Sequence, residues 1–297
     1  MENKKWSMEW GGRTLSVETG KLALQANASC LVQYGETVIM ATATMSSKTR
    51  DGLDFFPLMV NFEEKLYAAG KIKGSRFIKR EGRPTEEATL SGRLVDRSIR
   101  PLFDESMRND TQVILTALSY DGENDSQITA LVAACMVLSI SSIPWKGNIA
   151  GLRIGRLDGA WKINPTLKER ALSDVDIVVA GNPEGVIMVE AGCKECTDDQ
   201  VVEAIEFGAK QLQPVLDFIA KITKEVGLPK QDIHNNLNEK ETALRAVEKD
   251  VDAFIAEKSQ DWIFGTPKKN RQERVALIDK FSEAIAEMLK AKEVAED

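Results

Sequence analysis

The chain has 297 residues, with 39 Lys and Arg against 46 Asp and Glu, so its formal net charge is −7. Hydrophobic residues make up 43% and charged residues 29%, which excludes an intrinsically disordered chain and indicates a folded protein of roughly two domains. The acidic balance argues against a protein that coats DNA or anionic membranes, although it allows a local basic surface. No stretch is long and apolar enough to span a membrane and no secretion signal is present, so we expect a cytoplasmic protein with reduced cysteines.

Short β-type runs fill the first part of the chain, and a helix follows them. The predicted strands are residues 14–17, 28–34, 37–44 and 113–118. Residues 126–139 are apolar nearly all round, which predicts a buried helix with Asp125 or Ser126 as its N-cap. Further strands are predicted at 150–157, 161–163, 177–180 and 185–189, and residues 198–226 predict one long amphipathic helix.

The sequence changes after about residue 231, where a linker and amphipathic helices are predicted. No strand signal appears beyond Val189. Amphipathic helices are predicted at 242–258 and 272–292. The pattern therefore predicts an α+β domain over 1–230, with sub-halves of about 1–145 and 146–230. A linker at 231–241 and an all-helical domain at 242–297 complete the predicted organisation.

One segment departs from the acidic average. Residues 71–83 hold six basic residues and one acidic residue, with Phe77 and glycines interleaved. Glycine beside aromatic and basic residues suits a flexible loop that stacks on bases and holds phosphates. The segment therefore indicates a site for a polyanion.

The helix predicted after Thr85 strengthens this interpretation. Within it Arg93, Arg97 and Arg100 fall at i, i+4 and i+7, which places them on one face. Arginine favours planar, bidentate recognition of phosphate. The alternative is a solvated face on which the arginines make surface pairs with Asp96.

Other chemistry is sparse in the sequence. The single histidine, His234, lies in the predicted linker, which argues against a histidine-based nucleophile triad. Asp174 and Asp176 lie at i and i+2, so they could hold Mg²⁺ together, or they could be ordinary turn residues at a strand entry. Cys193 and Cys196 have the spacing of a metal or redox pair, and the alternative is a loop that carries two thiols.

Five stretches, taken in order, resemble polynucleotide phosphorylase. They are residues 54–58 (DFFPL), 67–71 (YAAGK), 77–84 (FIKREGRP), 93–103 (RLVDRSIRPLF) and 163–166 (INPT). The resemblance implies an RNase PH-like β-α-β sandwich, of the ribosomal protein S5 domain 2 type, followed by an all-helical domain. It covers the first half of the family's architecture and the helical domain, so the chain resembles an N-terminal fragment with a truncated helical domain.

The resemblance also implies an activity. Members of the family degrade single-stranded RNA, including mRNA, from the 3′ end with inorganic phosphate as co-substrate, and release nucleoside diphosphates. They are nucleotidyltransferases that form homotrimeric rings, require Mg²⁺ and act with RNA-degradation partners such as an endoribonuclease or a helicase. No membrane partner is expected.

The family's phosphorolytic site belongs mainly to the second half, which this chain lacks. Matching the two halves places Asp125 and Ser126 where that half has a phosphate-binding serine turn, and Arg170 and Asp176 where it has two metal-binding aspartates. Aspartate repels phosphate, and arginine cannot ligate a metal. We therefore expect these positions to be degenerate, with no catalytic residues and no metal in this half.

The resemblance carries over the RNA path instead. It implies RNA contacts by a loop and a helix, through the residues Phe77, Lys79, Arg80, Arg83, Arg93, Arg97 and Arg100. Three functional interpretations follow. The parent protein is a phosphorolytic 3′→5′ exoribonuclease, or the isolated chain is a catalytically silent RNA-binding and oligomerisation module. The third is an unrelated small-molecule kinase-like protein, against which the missing glycine-rich phosphate loop argues.

Overall fold

A computed structural model describes residues 3–49, 53, 55–72, 74, 82–232, 239–265, 267 and 270–291. The chain divides into two compact units, residues 1–231 and 232–297. No helix among the described residues has the length and apolar character needed to cross a membrane.

The first unit begins with a six-stranded sheet. Its strands are β1 (Lys4–Trp10), β2 (Arg13–Thr19), β3 (Ala28–Tyr34), β4 (Thr37–Thr49), β5 (Leu58–Glu64) and β6 (Asn109–Ser119). They lie in the order β1-β2-β3-β4-β6-β5, and every neighbouring pair is antiparallel except β5 with β6. The sequence prediction missed β1 and β5, the two edge strands.

A second sheet of four strands follows in the chain. It contains β7 (Ala150–Leu157), β8 (Ala160–Ile163), β9 (Val175–Asn182) and β10 (Gly185–Cys193). Their order is β10-β9-β7-β8, with all neighbours antiparallel. All four strands were predicted, although β10 runs to Cys193 and so extends beyond Val189, where the strand signal in the sequence ends.

Five helices complete the first unit. They are α1 (Glu86–Ile99), α2 (Ser126–Ile140), α3 (Leu167–Leu172), α4 (Asp198–Gln211) and α5 (Gln213–Val226). The core centres on α2, which packs against β3 and β4 of the first sheet and β7 of the second. Thirteen of its fifteen residues are buried, as its apolar sequence predicts, because both sheets cover it.

The single long helix predicted over 198–226 is wrong. The chain forms α4 and α5, separated at Leu212, and Pro214 occupies the first turn of α5. Proline has no backbone N–H to continue the ladder of the preceding helix, but it is tolerated in the first turn of a new one. The helical spacing of apolar residues continues from α4 into α5, so the hydrophobic pattern alone does not indicate that the helix is interrupted at Leu212.

The second unit is helical. It contains α6 (Glu239–Ser259), a π-helical turn (Gln260–Phe264) and α7 (Arg271–Ala291). Both helices predicted in this stretch are present, with shifted ends. Trp262 packs between Phe254 and Phe281, and the Lys280 ammonium lies 3.9 Å from the centre of its ring. Residues 233–238 of the predicted linker, including His234, lie outside the described residues.

A polar turn fixes the start of α2. The Asp121 carboxylate accepts hydrogen bonds from the backbone N–H groups of Glu36, Glu123 and Asn124, and from the Asn124 amide at 2.5 Å. Gly35, at φ +59°, permits this contact because a Cβ there would lie 2.2 Å from the Asn124 amide nitrogen. Burial alone would raise the pKa of Asp121, but these hydrogen bonds lower it to about 2.

We predict that Asp121→Ala lowers the free energy of unfolding at neutral pH by about 1–2 kcal/mol, with the partial exposure of the carboxylate taken into account. The folded-state pKa lies below the ordinary value of 3.8, so the stabilisation is present above pH ~4 and is lost as the pH falls towards about 2. Urea unfolding of both proteins across this range should show the difference shrinking at low pH. A constant difference would contradict the assignment.

Candidate nucleic-acid interface and arginine–carboxylate cluster

The helix α1 presents the predicted arginine row. Thr85 caps it by accepting a hydrogen bond from the Ala88 N–H at 3.0 Å, and the Thr85 hydroxyl donates to Glu64 on β5 at 2.7 Å. Gly92 lets the helix lie close to β5, because a Cβ there would be 3.2 Å from the Val60 carbonyl oxygen. The row therefore sits on a helix that is held firmly against the first sheet.

The three arginines differ in their surroundings. Arg100 donates to both Asp96 oxygens, at 2.8 and 3.0 Å, and to the Leu58 carbonyl at 3.1 Å, so it ties the end of α1 to the first residue of β5. Arg97 forms an ion pair with Glu190 of β10 in which both side chains are about half exposed. Arg93 is exposed and makes no hydrogen bond or ion pair within the described part of the chain.

The structure thus gives Arg100 a structural role that the pattern alone did not reveal. Asp96 pairs with Arg100. It does not pair with Arg93 or Arg97, as the alternative interpretation of a solvated helix face required. Arg93 and Arg97 remain accessible to a ligand. Of the basic loop, Arg83 is exposed, whereas Phe77, Lys79 and Arg80 lie outside the described residues.

A second cluster forms around the predicted degenerate positions. Asp125 is the N-cap of α2, where its carboxylate accepts from the Gln127 N–H at 2.8 Å. The same carboxylate accepts from Arg153 Nε at 2.5 Å. Arg153 projects from β7 and only 4% of its side chain is exposed. The start of α2 therefore already holds a buried ion pair.

Arg153 extends this pair into a network. Its guanidinium also donates to Asp176 of β9 and, at 2.7 Å, to the Gln127 side chain. Arg170 completes the network by donating to the other Asp176 oxygen at 2.6 Å. Burial lowers the pKa of Arg153, but the carboxylates of Asp125 and Asp176 outweigh this and raise it, so the guanidinium stays charged.

The motif at 163–166 positions Arg153. Asn164, in the left-handed region at φ +46°, accepts from the Arg153 N–H through its side chain at 3.0 Å and donates its own N–H to the Arg153 carbonyl at 2.6 Å. Thr166 then caps α3 in a reciprocal arrangement with Glu169. The backbone on either side of the Arg153 side chain is thus fixed.

The cluster does not fit the phosphate and Mg²⁺ that the family resemblance implies. Both Asp176 oxygens accept hydrogen bonds from arginines, and Asp125 is engaged by Arg153 and the α2 N-terminus. A carboxylate at that N-terminus would also repel phosphate. Across the described ranges, no three His, Cys, Asp or Glu side chains gather as a metal site. We therefore assign no reaction step to these residues.

The neighbouring Asp174 is also paired. It binds the Arg156 guanidinium through both oxygens, one of them at 3.1 Å from Arg156 Nε. A hydrogen bond from Arg156 lowers the pKa of Asp174. The two carboxylates that were predicted as a possible Mg²⁺ pair are thus bound by separate arginines, Asp174 by Arg156 and Asp176 by Arg153 and Arg170.

Sequence reasoning missed Arg153, Gln127 and Asn164. The available signal for Arg153 was a charge inside the buried strand run 150–157, where an isolated charge is costly and a partner is required. The Gln127 side chain accepts a hydrogen bond from Arg153 and donates one to the Ser91 hydroxyl of α1 at 2.9 Å, so it links the cluster to α1. No local sequence feature identified that bridge.

Comparison with known proteins places this geometry in a family. Two models of the 3′ exoribonuclease family match, domain 1 over residues 11–144 and domain 2 over residues 147–211. Together they cover more than half of the sequence, so the chain belongs to the 3′ exoribonuclease family. The predicted RNase PH-like α+β fold is confirmed.

Individual relatives sharpen the comparison. The chain is 50% identical over 232 residues to a polyribonucleotide nucleotidyltransferase of Halalkalibacterium halodurans and 49% identical over 231 residues to one of Staphylococcus aureus. Each alignment covers 78% of this chain and 33% of the relative, so the chain spans about a third of the length of these curated relatives. The resemblance to polynucleotide phosphorylase is confirmed, and a kinase-like protein is excluded.

A solved structure supports the fold. Rice Rrp46 aligns with a TM-score of 0.56 and 15% sequence identity, over 75% of this chain and 96% of that one. At this level of sequence identity, the similarity supports a shared fold and nothing about function.

We predict that Arg153→Met lowers the free energy of unfolding by about 3–5 kcal/mol, because it leaves Asp125 and Asp176 without their buried counter-ion. Arg97→Met is the matched control, since it removes an exposed pair and should cost less than about 1 kcal/mol. Chemical denaturation measures both. Adding Asp125→Asn and Asp176→Asn to Arg153→Met should recover part of the loss, and equal costs for the two single variants would disprove the assignment.

Proposed function

We propose that this chain supplies the RNA path and the oligomer scaffold of a phosphorolytic 3′→5′ exoribonuclease. The observation that carries the proposal is the pair of accessible arginines, Arg93 and Arg97, on a firmly anchored helix directly after the basic segment 71–83. The family membership and the names of the relatives support RNA as the ligand.

The binding mode follows from the side chains available. Guanidinium groups along one helix face can each bind a backbone phosphate, and Phe77 in the basic segment 71–83 can stack on a base. Neither contact reads base edges, so we expect little sequence preference. Arg83 lies between the loop and the helix and can extend the same path. Arg100 acts by holding the end of α1 in place.

We further propose that the cluster around Arg153 is catalytically silent. Its support is the pairing of every carboxylate oxygen at the two degenerate positions with a hydrogen-bond donor. In this proposal Mg²⁺, inorganic phosphate and the release of nucleoside diphosphates from mRNA belong to a second RNase PH-like half outside this sequence.

The organisation of the parent remains part of the proposal. It comprises a first RNase PH-like domain over 1–230, a linker over 231–241, whose last three residues form the start of α6, and an all-helical domain over 242–297. We propose that the parent assembles as a homotrimer in the cytoplasm. An endoribonuclease or a helicase would be its partner in RNA degradation. The second candidate function concerns the isolated chain, as a silent RNA-binding and oligomerisation module, and the closed cluster favours it.

We predict that replacing Arg93 and Arg97 by alanine weakens binding of single-stranded RNA and lowers the slope of log affinity against log salt by about 0.7 per lost phosphate contact. Lys79→Ala and Arg80→Ala in the adjacent loop should act in the same direction. Fluorescence anisotropy with labelled poly(A) at several salt concentrations measures both quantities. Lys221→Ala, an exposed cation on α5, is the control and should change neither.

The proposed RNA path would be refuted if replacement of Arg93, Arg97, Lys79 and Arg80 by alanine left both the affinity for RNA and the salt slope unchanged. A loss that is equal in Lys221→Ala would show that only overall charge matters.

A separate prediction concerns catalysis by the 297-residue chain. Incubated with poly(A), inorganic phosphate and Mg²⁺, it should release no ADP above the level seen without phosphate, because no carboxylate of the cluster is free to bind the metal. Chromatographic detection of ADP provides the measurement. Phosphate-dependent ADP release that disappears in Asp176→Ala would overturn the silent-site proposal.

A further inference from the structure

Two of the four cysteines lie together on the surface. Cys193 is the last residue of β10 and is exposed, and Cys196 directly precedes the Thr197 cap of α4. Cys193 pairs with Val175 at the start of β9, and the Cys196 thiol contacts the carbonyl of the preceding residue, Asp174, so both cysteines lie beside the same stretch of backbone. Cys30 and Cys135 are buried, with 3% and 0% of their surface exposed. The described structure contains no disulfide, and the exposed pair takes no part in the proposed RNA path.

The turn that joins the two thiols is held in place from several sides. The Lys194 N–H donates to the Asp174 carbonyl at 2.9 Å, and the Lys194 ammonium donates to the Ser173 carbonyl at 3.0 Å. The Cys196 thiol donates to the same Asp174 carbonyl at 3.7 Å. Glu195 reverses the chain in the left-handed region at φ +55°.

These anchors keep both ends of the turn against the start of β9 without using the Cys193 thiol. Both cysteines are therefore held at the start of β9, and this proximity is the geometric requirement for a disulfide between them. We propose that Cys193 and Cys196 form a reversible thiol–disulfide site that responds to a low-molecular-weight disulfide.

The exchange proceeds in two balanced steps. The thiolate of Cys193, the more exposed of the pair, attacks one sulfur of the small disulfide, which forms a mixed disulfide and expels one small thiolate. The Cys196 thiolate then attacks the Cys193 sulfur, closes the protein disulfide and expels the second small thiolate. The protein loses two protons and two electrons, and the small disulfide is reduced to two thiols.

The surroundings set the pH dependence of the first step. Burial and the nearby Cys196 raise the pKa of the Cys193 thiol. Because the thiolate is the nucleophile, the rate of the first step rises with pH above neutrality. Burial also raises the pKa of Cys30 and Cys135 well above the ordinary thiol value, and their enclosure in the core keeps them from reacting.

Cys193 lies at the edge of an open cavity. Cys193 and Lys194 line this cavity of about 560 Å³ together with Asp174, Asp176 and Arg170. Oxidation removes the hydrogen bond from the Cys196 thiol to the Asp174 carbonyl and replaces it with a covalent link between the end of β10 and the start of α4. The site therefore couples the redox state of small thiols to the local rigidity of this turn.

The test uses the full chain, reduced and then exposed to excess oxidised glutathione. Free thiols are alkylated after unfolding, and intact mass spectrometry counts them. We expect a monomer lighter by two hydrogen atoms, with two of its four thiols alkylated, and dithiothreitol should restore all four. Trypsin cuts after Lys194, so the two resulting peptides should stay joined until a reductant is added.

Two variants test which cysteines form the bridge. Cys193→Ser cannot form the internal bridge, so it should keep a glutathione adduct at Cys196 or three alkylatable thiols. Cys30→Ala removes a buried thiol and should still form the bridge. The proposal is overturned if the wild-type chain keeps four alkylatable thiols, accumulates a stable glutathione adduct or becomes an intermolecular dimer while its circular dichroism spectrum remains native.

Discussion

The buried guanidinium of Arg153 is the interaction on which the arrangement of the first unit depends. It joins β7 to the N-terminus of α2 through Asp125, to β9 through Asp176 and, by way of Gln127, to Ser91 of α1. A buried charge is tolerated only when partners satisfy it, so each of these elements has to occupy its place for the others to remain stable. The helix that presents Arg93 and Arg97 is thus positioned partly by the cluster behind it.

The same interaction engages the groups at the start of α2 and on β9 that would otherwise be open to phosphate or a metal ion. In the family resemblance, the start of α2 and the strand carrying Asp176 correspond to a phosphate turn and a metal site. Here the cation is a side chain of the protein itself, and the anion at the helix terminus is Asp125. An RNase PH-like fold can therefore accommodate side chains of its own as both the cation and the anion at these positions.

Much of this fold could be predicted from the sequence, and the failures have physical causes. The buried helix and the strands of the second sheet follow from apolar runs bounded by turns. The edge strand β1 carries a strand pattern, with Trp6, Met8 and Trp10 alternating with polar residues, and the sequence prediction overlooked it. The other edge strand, β5, pairs in parallel with β6, which lies far along the chain. In the sequence Arg100 resembles a ligand-binding residue. In the structure its guanidinium donates a hydrogen bond to the carbonyl of Leu58, which is distant in sequence. The partners of Arg153 lie on three separate elements, so no local pattern could assemble them.

The ion pair between Arg97 and Glu190 has a consequence for how a polyanion would move along α1. Glu190 already occupies Arg97 at the surface, so an arriving phosphate has to displace a carboxylate that returns when the phosphate leaves. At Arg97 the contact then exchanges one anion for another, so the net gain per phosphate is smaller than at Arg93, which has no such partner among the described residues. A polyanion lying along α1 would therefore be held more tightly at Arg93 than at Arg97.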